Sequence, residues 1–199
     1  MKFDEFNNIE VPEEVDDNTW ALVDSITSKI EYYFGANKNE FEEYKMGVEQ
    51  SASDKNVTLT LKEAMLEDGE FILNINMDFS KKELDKNDMI TNYMPQIKAI
   101  YIDGKKFLPS SAMQTFGISE ENIDFLTKLQ IESTSYEDNN VLENLDKSKD
   151  HDVKVVFGKI EKMAGNSVGG SIRGNWEFNF TINAKEMEER TKVYNIDKE

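Results

Sequence analysis

Val57-Thr58-Leu59-Thr60-Leu61-Lys62, the turn Glu67-Asp68-Gly69-Glu70 and the run Phe71-Ile72-Leu73-Asn74-Ile75-Asn76-Met77-Asp78-Phe79 decide how this chain is read. Val57, Leu59 and Leu61 alternate with Thr58, Thr60 and Lys62. Beyond the turn, Phe71, Leu73, Ile75, Met77 and Phe79 alternate with Ile72, Asn74, Asn76 and Asp78. A period of two marks strands with one face buried and one face wet. Asp-Gly suits a type I′ turn, because glycine takes positive φ without steric penalty and aspartate tolerates it. The two parities do not match across the turn. Near Glu63-Ala64-Met65-Leu66 the apolar set slips by one residue, which points to a bulge rather than a broken strand. The stretch predicts a long β-hairpin, and it carries no chemistry of its own.

Before the hairpin, Met1 to Asn18 is an acidic tail with Phe3, Phe6, Ile9, Val11 and Val15 scattered through it. Asp17 or Asn18 can cap a helix. From there Trp20, Val23, Ile26, Ile30 and Tyr33-Phe34 recur at helical spacing until Gly35. Its apolar stripe is expected to pack on the sheet. Phe41, Tyr44 and Val48 predict a second, shorter helix ending near Gly47, so residues 19–49 are read as N-terminal helices. Ser51 to Asn56 is a polar lead-in, and residues 50–199 are read as the β domain.

After the hairpin, Ser80 to Asn92 reads as a loop or short helical turn. Ile97, Ala99 and Tyr101 begin a strand with both faces apolar near Ile100 and Ile102, as in a central strand. Asp103-Gly104 signals a second hairpin, returning through Lys105 to Leu108 before Pro109 stops it. Ser110 to Glu121 reads as a loop, Leu126 to Thr134 as a strand, and Glu137 to Asp152 as an acidic loop. Val153, Val155 and Phe157 form a strand continuing through Ile160. Lys162 to Gly174, rich in Gly, Ser and Asn, reads as a mobile connection. Trp176, Phe178, Phe180 and Ile182 mark the second clear strand. Val193 to Ile196 begins a further strand, and the chain is expected to be truncated there. About seven strands at this spacing predict a mainly β fold, an immunoglobulin-like antiparallel sandwich preceded by one or two helices.

The chain has 199 residues, enough for one large domain, and no cysteine, which removes disulfides, thiol nucleophiles and thiolate metal sites. Its net charge of −17 repels phosphate backbones and anionic membrane surfaces, so nucleic acid and direct membrane contact are not expected. No run approaches the ~20 apolar residues of a membrane helix, and no signal peptide opens the chain. As given, the polypeptide is expected to be soluble.

Few residues of the chain suggest a reaction centre. His151, in Asp150-His151-Asp152, has flanking carboxylates suited to a metal, but it is the single histidine. A solvated loop is the blander reading and the preferred one. No Gly-x-Ser-x-Gly elbow supports a serine hydrolase. Asp85-Lys86-Asn87-Asp88 and Asp138-Asn139-Asn140 lack the glycine and glutamate of an EF-hand loop. Gly165, Gly169, Gly170 and Gly174 precede a strand without Gly-Lys-Ser/Thr, so they form no phosphate cradle. Trp176, Phe178 and Phe180 read as core rather than as a stacking platform. Catalytic, cofactor and metal sites are therefore predicted as none, and the protein is not expected to be an enzyme.

One resemblance goes further. The residues Glu49-Gln50-Ser51-Ala52-Ser53-Asp54-Lys55-Asn56-Val57-Thr58-Leu59-Thr60-Leu61, then Leu66-Glu67-Asp68-Gly69-Glu70-Phe71-Ile72-Leu73, resemble the uncharacterised extracytoplasmic domain of membrane-anchored anti-sigma factors from low-GC Gram-positive bacteria. That family reads Ser-Val-Thr-Asp-x-Gly-Ile-Thr-Val-Thr-Leu, with Asn56 and Leu59 as departures here. Gly174-Asn175-Trp176-Glu177-Phe178-Asn179-Phe180 is similar to its Gly-x-Trp-x-Phe strand. The resemblance covers about Ile30 to the C-terminus, and its motifs describe a sandwich rather than an active site. Phe6 to Asp16 resembles the family's short cytoplasmic segment, while the basic stretch and membrane helix that follow it in the family are missing. The chain is thus expected to be a form from which the membrane helix has been removed.

The resemblance implies a regulatory protein. The N-terminal segment would hold an extracytoplasmic-function sigma factor, and the domain outside would sense an envelope ligand or position the protein for release by a protease. The competing readings are a secreted or surface ligand-binding module for wall polymer or carbohydrate, and an acidic-residue hydrolase.

Overall fold

A computed structural model describes residues 43–67, 70–79, 92–118, 122–131 and 145–185. These residues form nine strands: β1 (Glu43–Asp54), β2 (Val57–Glu67), β3 (Glu70–Asp78), β4 (Asn92–Ile102), β5 (Lys105–Phe107), β6 (Pro109–Ile118), β7 (Asn122–Ile131), β8 (His151–Ala164) and β9 (Ser167–Ile182). They build two antiparallel sheets, five strands in the order β1-β2-β3-β7-β6 and four in the order β5-β4-β8-β9. The protein is mainly β. No helix among the described residues is long and apolar enough to cross a membrane.

The predicted hairpin is β2 and β3, with Leu59 opposite Met77 and Leu61 opposite Ile75. The bulge read from the parity slip is there: Lys62 is the extra residue between the pairs Leu61–Ile75 and Glu63–Asn74. It returns Ala64 to the core face after Leu61, which is why the apolar spacing lengthens by one. Two turns have the I′ signature, with φ 53° and 61° at Lys55 and Asn56 and φ 50° and 79° at Asp103 and Gly104.

The apolar alternation of each sheet is turned inward. Val57, Leu59, Leu61, Phe71, Leu73, Ile75, Phe125 and Leu129 of one sheet meet Ile100, Val153, Val155, Phe157, Trp176 and Phe178 of the other in a single cluster. Each such side chain, removed from water, contributes about 1.5–3 kcal/mol. Phe157 and Phe178 meet edge to face at 6.0 Å between ring centres. Met65, Ile72 and Leu126 are buried as well, on the opposite face of the five-stranded sheet.

Four expectations are corrected. Residues 43–49 are strand, not helix: Met46 reaches the core and Val48 packs against it, a period of two that Phe41/Tyr44/Val48 spacing obscures. Ser110 to Ile118 is strand β6, not loop, and Pro109 opens it. As an edge strand, β6 tolerates a residue that cannot donate to a ladder. Lys162 to Gly174 is no mobile connection but the far half of the β8–β9 hairpin, where only Gly165 and Asn166 turn. The described residues alone hold nine strands, where about seven were expected. The acidic tail, the helix over residues 19–35 and the strand at residues 193–196 lie outside the described residues.

Thr127 shares the core face with Phe125 and Leu129, is fully buried, and its hydroxyl has no hydrogen-bond partner. A buried unsatisfied hydroxyl is destabilising, whereas valine fills the same shape with a methyl group. Thr127→Val is expected to raise unfolding free energy by about 1–3 kcal/mol. In urea the midpoint should move up with the slope unchanged; a lower midpoint would mean that the hydroxyl is bonded.

Candidate functional site

Three polar assemblies stand out from the apolar framework. The first joins the two sheets along the side where β1 lies beside β9. Trp176 is fully buried on β9, and its indole Nε1–H donates to the carbonyl of Val57, the first residue of β2, at 3.0 Å. Between the pairs Phe157–Trp176 and Lys159–Arg173, β9 carries one more residue than β8, so Gly174-Asn175 opposes Gly158. The amide of Asn175 donates instead to Asp54 Oδ2 at 2.8 Å, while Asp54 Oδ1 accepts from the Lys55 amide in its own turn. Gly174 cannot carry a side chain here: a Cβ would lie 2.5 Å from the Trp176 ring and 2.8 Å from Asp54. Four residues further along, the Gln50 carboxamide accepts from the Asn179 amide at 3.0 Å and donates to its carbonyl. One side chain thus occupies the free edge of β9 as a neighbouring strand would.

The second assembly holds the sole histidine. The solvated-loop expectation for His151 is overturned: the residue opens β8 and is buried. Its Nδ1 lies 2.9 Å from Asp103 Oδ2, in the β4–β5 turn, and its Nε2 lies 2.9 Å from the main-chain oxygen of Asp146. The Asp103 main chain donates to the Asp152 carbonyl at 2.9 Å, and Asp103 Oδ1 accepts from the Asp152 amide at 3.1 Å. Asp146 is fixed by its own turn, with its Oδ1 accepting from the Ser148 amide and hydroxyl. These bonds pull both acids below the usual carboxylate range: His151 does most of this for Asp103, and the Ser148 hydroxyl for Asp146.

The third lies on the outer face of the four-stranded sheet. Lys154 pairs with Glu177 and sits 5.9 Å from the Tyr101 ring centre. That ammonium, then Asn175, holds the Glu177 carboxyl below its usual range.

Among the described residues, no three His, Asp or Glu side chains are placed to share a metal ion. Gly165, Gly169, Gly170 and Gly174 are strung along one hairpin, two of them at register shifts. Trp176 and Phe178 are core, and Phe180 is half-buried against Phe71. Asp85 to Asp88, Asp138 to Asn140 and the Phe3/Phe6/Ile9/Val11 segment lie outside the described residues. The sequence reading missed Asp103 and Asp146 as partners of His151. Asp103 was visible only as a turn residue, because its partner stands 48 positions away.

No protein-family model matches the chain, and no curated protein matches it. Among solved structures, a conserved domain protein from Bacillus anthracis is similar over 70% of this chain at 13% identity, with a TM-score of 0.43. The chain spans 42% of that protein's length. A likeness of this size assigns neither family nor function.

Adding a methyl group at residue 174 tests the joint. Gly174→Ala forces the Trp176 ring or Asp54 to move, and overpacking of this kind costs about 1–3 kcal/mol. Trp176→Phe removes the ring atoms in the way, so the double variant should lose less than the two single losses added together. Additive losses, measured by denaturant unfolding, would show that the close approach is not what excludes a side chain.

The carboxyl of Asp103 makes a second expectation. Its value is lower in the fold than in the unfolded chain, so its contribution is complete above the ordinary aspartate range and is lost as pH falls through the folded value. Asp103→Asn should therefore flatten the acid limb of the stability profile below about pH 4. Acid limbs that superimpose would remove Asp103 from the account.

Proposed function

We propose that the chain is the extracytoplasmic sensing and regulatory domain of an anti-sigma factor, which controls an extracytoplasmic-function sigma factor. The observation that carries this reading is the use made of the motif residues. Asp54, Gly174 and Trp176, on which the family resemblance rests, meet at one joint and are spent on holding β9 to the first hairpin. Motifs that maintain a scaffold suit a domain whose function lies in its surface and attachment rather than in a reaction centre. The parent protein would cross the membrane once, with the acidic segment 1–18 inside the cell on the sigma factor.

The strand order supports an immunoglobulin-like sandwich as the scaffold. With β2 as the first strand, β2-β3-β7-β6 against β5-β4-β8-β9 follows the order A-B-E-D against C′-C-F-G. Two features depart from that plan: β1 is an added strand, and the buried tryptophan is on the last strand rather than on the third.

Co-purification of the full chain with the sigma factor encoded beside its gene tests the reading. The sigma factor should be retained, and deletion of residues 1–18 should release it. Retention by the shortened chain would overturn the role of the tail. No retention by the full chain, together with binding of a wall polymer or carbohydrate by the β domain, would put the ligand-binding module in its place.

A further inference from the structure

We propose that the amphipathic segment 19–35 docks as a helix on the outer face of the five-stranded sheet, with its apolar stripe over Met65, Ile72 and Leu126.

The face itself sets the problem. Met65 and Ile72 stand opposite each other on β2 and β3, and in the next row of the same face Leu126 on β7 stands opposite Asn74. None of these residues belongs to the apolar cluster between the sheets. Yet Met65, Ile72 and Leu126 are only 1%, 3% and 4% exposed, and Asn74 is fully buried, with its amide donating to Glu63 Oε2 at 2.9 Å. Neighbouring strands shield a side chain from the flanks, so a face position this dry has chain lying over it. The following rows, Thr60 with Asn76 and Thr58 with Asp78, are polar and half-buried. The cover is therefore local, at the end of the sheet where the β2–β3 turn lies. All nine described strands belong to the two sheets themselves, so none of them supplies it.

Chain path and composition select the occupant. Residues 80–91 leave β3 at the polar end of this face and lead to β4 in the other sheet. Residues 132–144 leave β7 at the apolar end, but offer only Tyr136, Val141 and Leu142, with no helical or strand period. Residues 186–199 follow β9, also in the other sheet, and their apolar cluster waits until Val193. Segment 19–35 brings Trp20, Val23, Ile26, Ile30 and Phe34 on one side of a helix, and Asp24, Ser28, Lys29 and Glu31 on the other. A helix of that length runs about 25 Å, and the patch spans two strand spacings, about 10 Å. The entry point agrees. β1 begins at Glu43, opposite Glu67, two residues before the Lys45–Met65 pair. Residues 36–42 reach at most about 24 Å, so a helix ending at Gly35 ends near this patch. The inference does not rest on the anti-sigma reading; it concerns how the segment between the tail and β1 meets the domain.

Two measurements on the full chain test it. Trp20 and Trp176 are the only tryptophans, and Trp176 is fully buried, so acrylamide quenching reports on Trp20. Trp20 should be shielded in the wild type. Ile26→Asp, which places a charge on the stripe and alters no described strand, should raise quenching several-fold with the β-sheet circular dichroism unchanged. Equal quenching of the two proteins, strong or weak, would overturn the docking. The second measurement leaves the stripe intact. The chain has no cysteine, and Thr60 is half-buried at the margin of the patch, so a nitroxide on Thr60→Cys marks this face alone. It should broaden the amide signals of residues 19–35 more than those of residues 132–144 and 186–199. Stronger broadening of either rival stretch would give the face to that stretch, and broadening of none of the three would remove segment 19–35 from it.

Discussion

The indole of Trp176, closed beneath Gly174 and bonded to the carbonyl of Val57, is the contact on which the arrangement of the two sheets turns. Tryptophan buries more apolar surface than any other side chain but brings an N–H that needs a partner when water is excluded. Val57 supplies that partner because it begins β2 immediately after a two-residue turn. Gly174 is then determined by space, and the additional residue in β9 leaves the Asn175 amide without a place in the ladder. Asp54, at the start of the same turn, takes it. One residue forces the next, through five positions drawn from opposite ends of the described chain.

The same joint deals with exposed strand edges. β1 and β9 end their respective sheets, and an unguarded edge is a template for pairing with another molecule. Here the edges face each other and are bridged by side chains rather than by a shared ladder. Gln50 saturates Asn179 and Asp54 saturates Asn175, so the sandwich is closed on this side without becoming a barrel. Polar residues that resembled an unremarkable lead-in, Ser51 to Asp54, are therefore structural. Ser51 and Ser53 also pair their hydroxyls with Thr60 and Thr58 across the hairpin, each at 2.8 Å.

What could be read in the sequence was whatever had a local signature. Alternation over Val57 to Phe79 and over Trp176 to Ile182, the Asp103-Gly104 turn and the parity slip near Glu63 to Leu66 all depend on neighbours a few residues away. β1 was hidden because Tyr44 and Val48 stand four apart, satisfying a helical period while Met46 between them satisfies a strand. β6 was hidden by composition: Ser110, Ser111 and Ala112 carry no β-branched or aromatic signal, and its pairing with β7 supplies what propensity does not. The β8–β9 hairpin tip was hidden by glycines that mark register shifts as readily as loops. The candidate site was the least legible part. His151 depends on an aspartate in a different turn and on a main-chain oxygen, and a carbonyl has no sequence signature at all.

Charge was legible only as an average, and the average misplaces it. The net −17 is unevenly divided: residues 1–42 hold eleven acidic against three basic side chains. The segments that build the four-stranded sheet, residues 92–107 and 145–185, hold ten basic against six acidic. Of those acids, Asp103, Asp146, Asp150, Asp152 and Glu177 are each bound to a donor within the fold. Repulsion of anions, inferred from the whole chain, therefore belongs to the segments outside this sheet. Electrostatic interaction between exposed groups fades over about 8–10 Å at physiological salt. A surface of this sheet thus answers to its own lysines, not to the total.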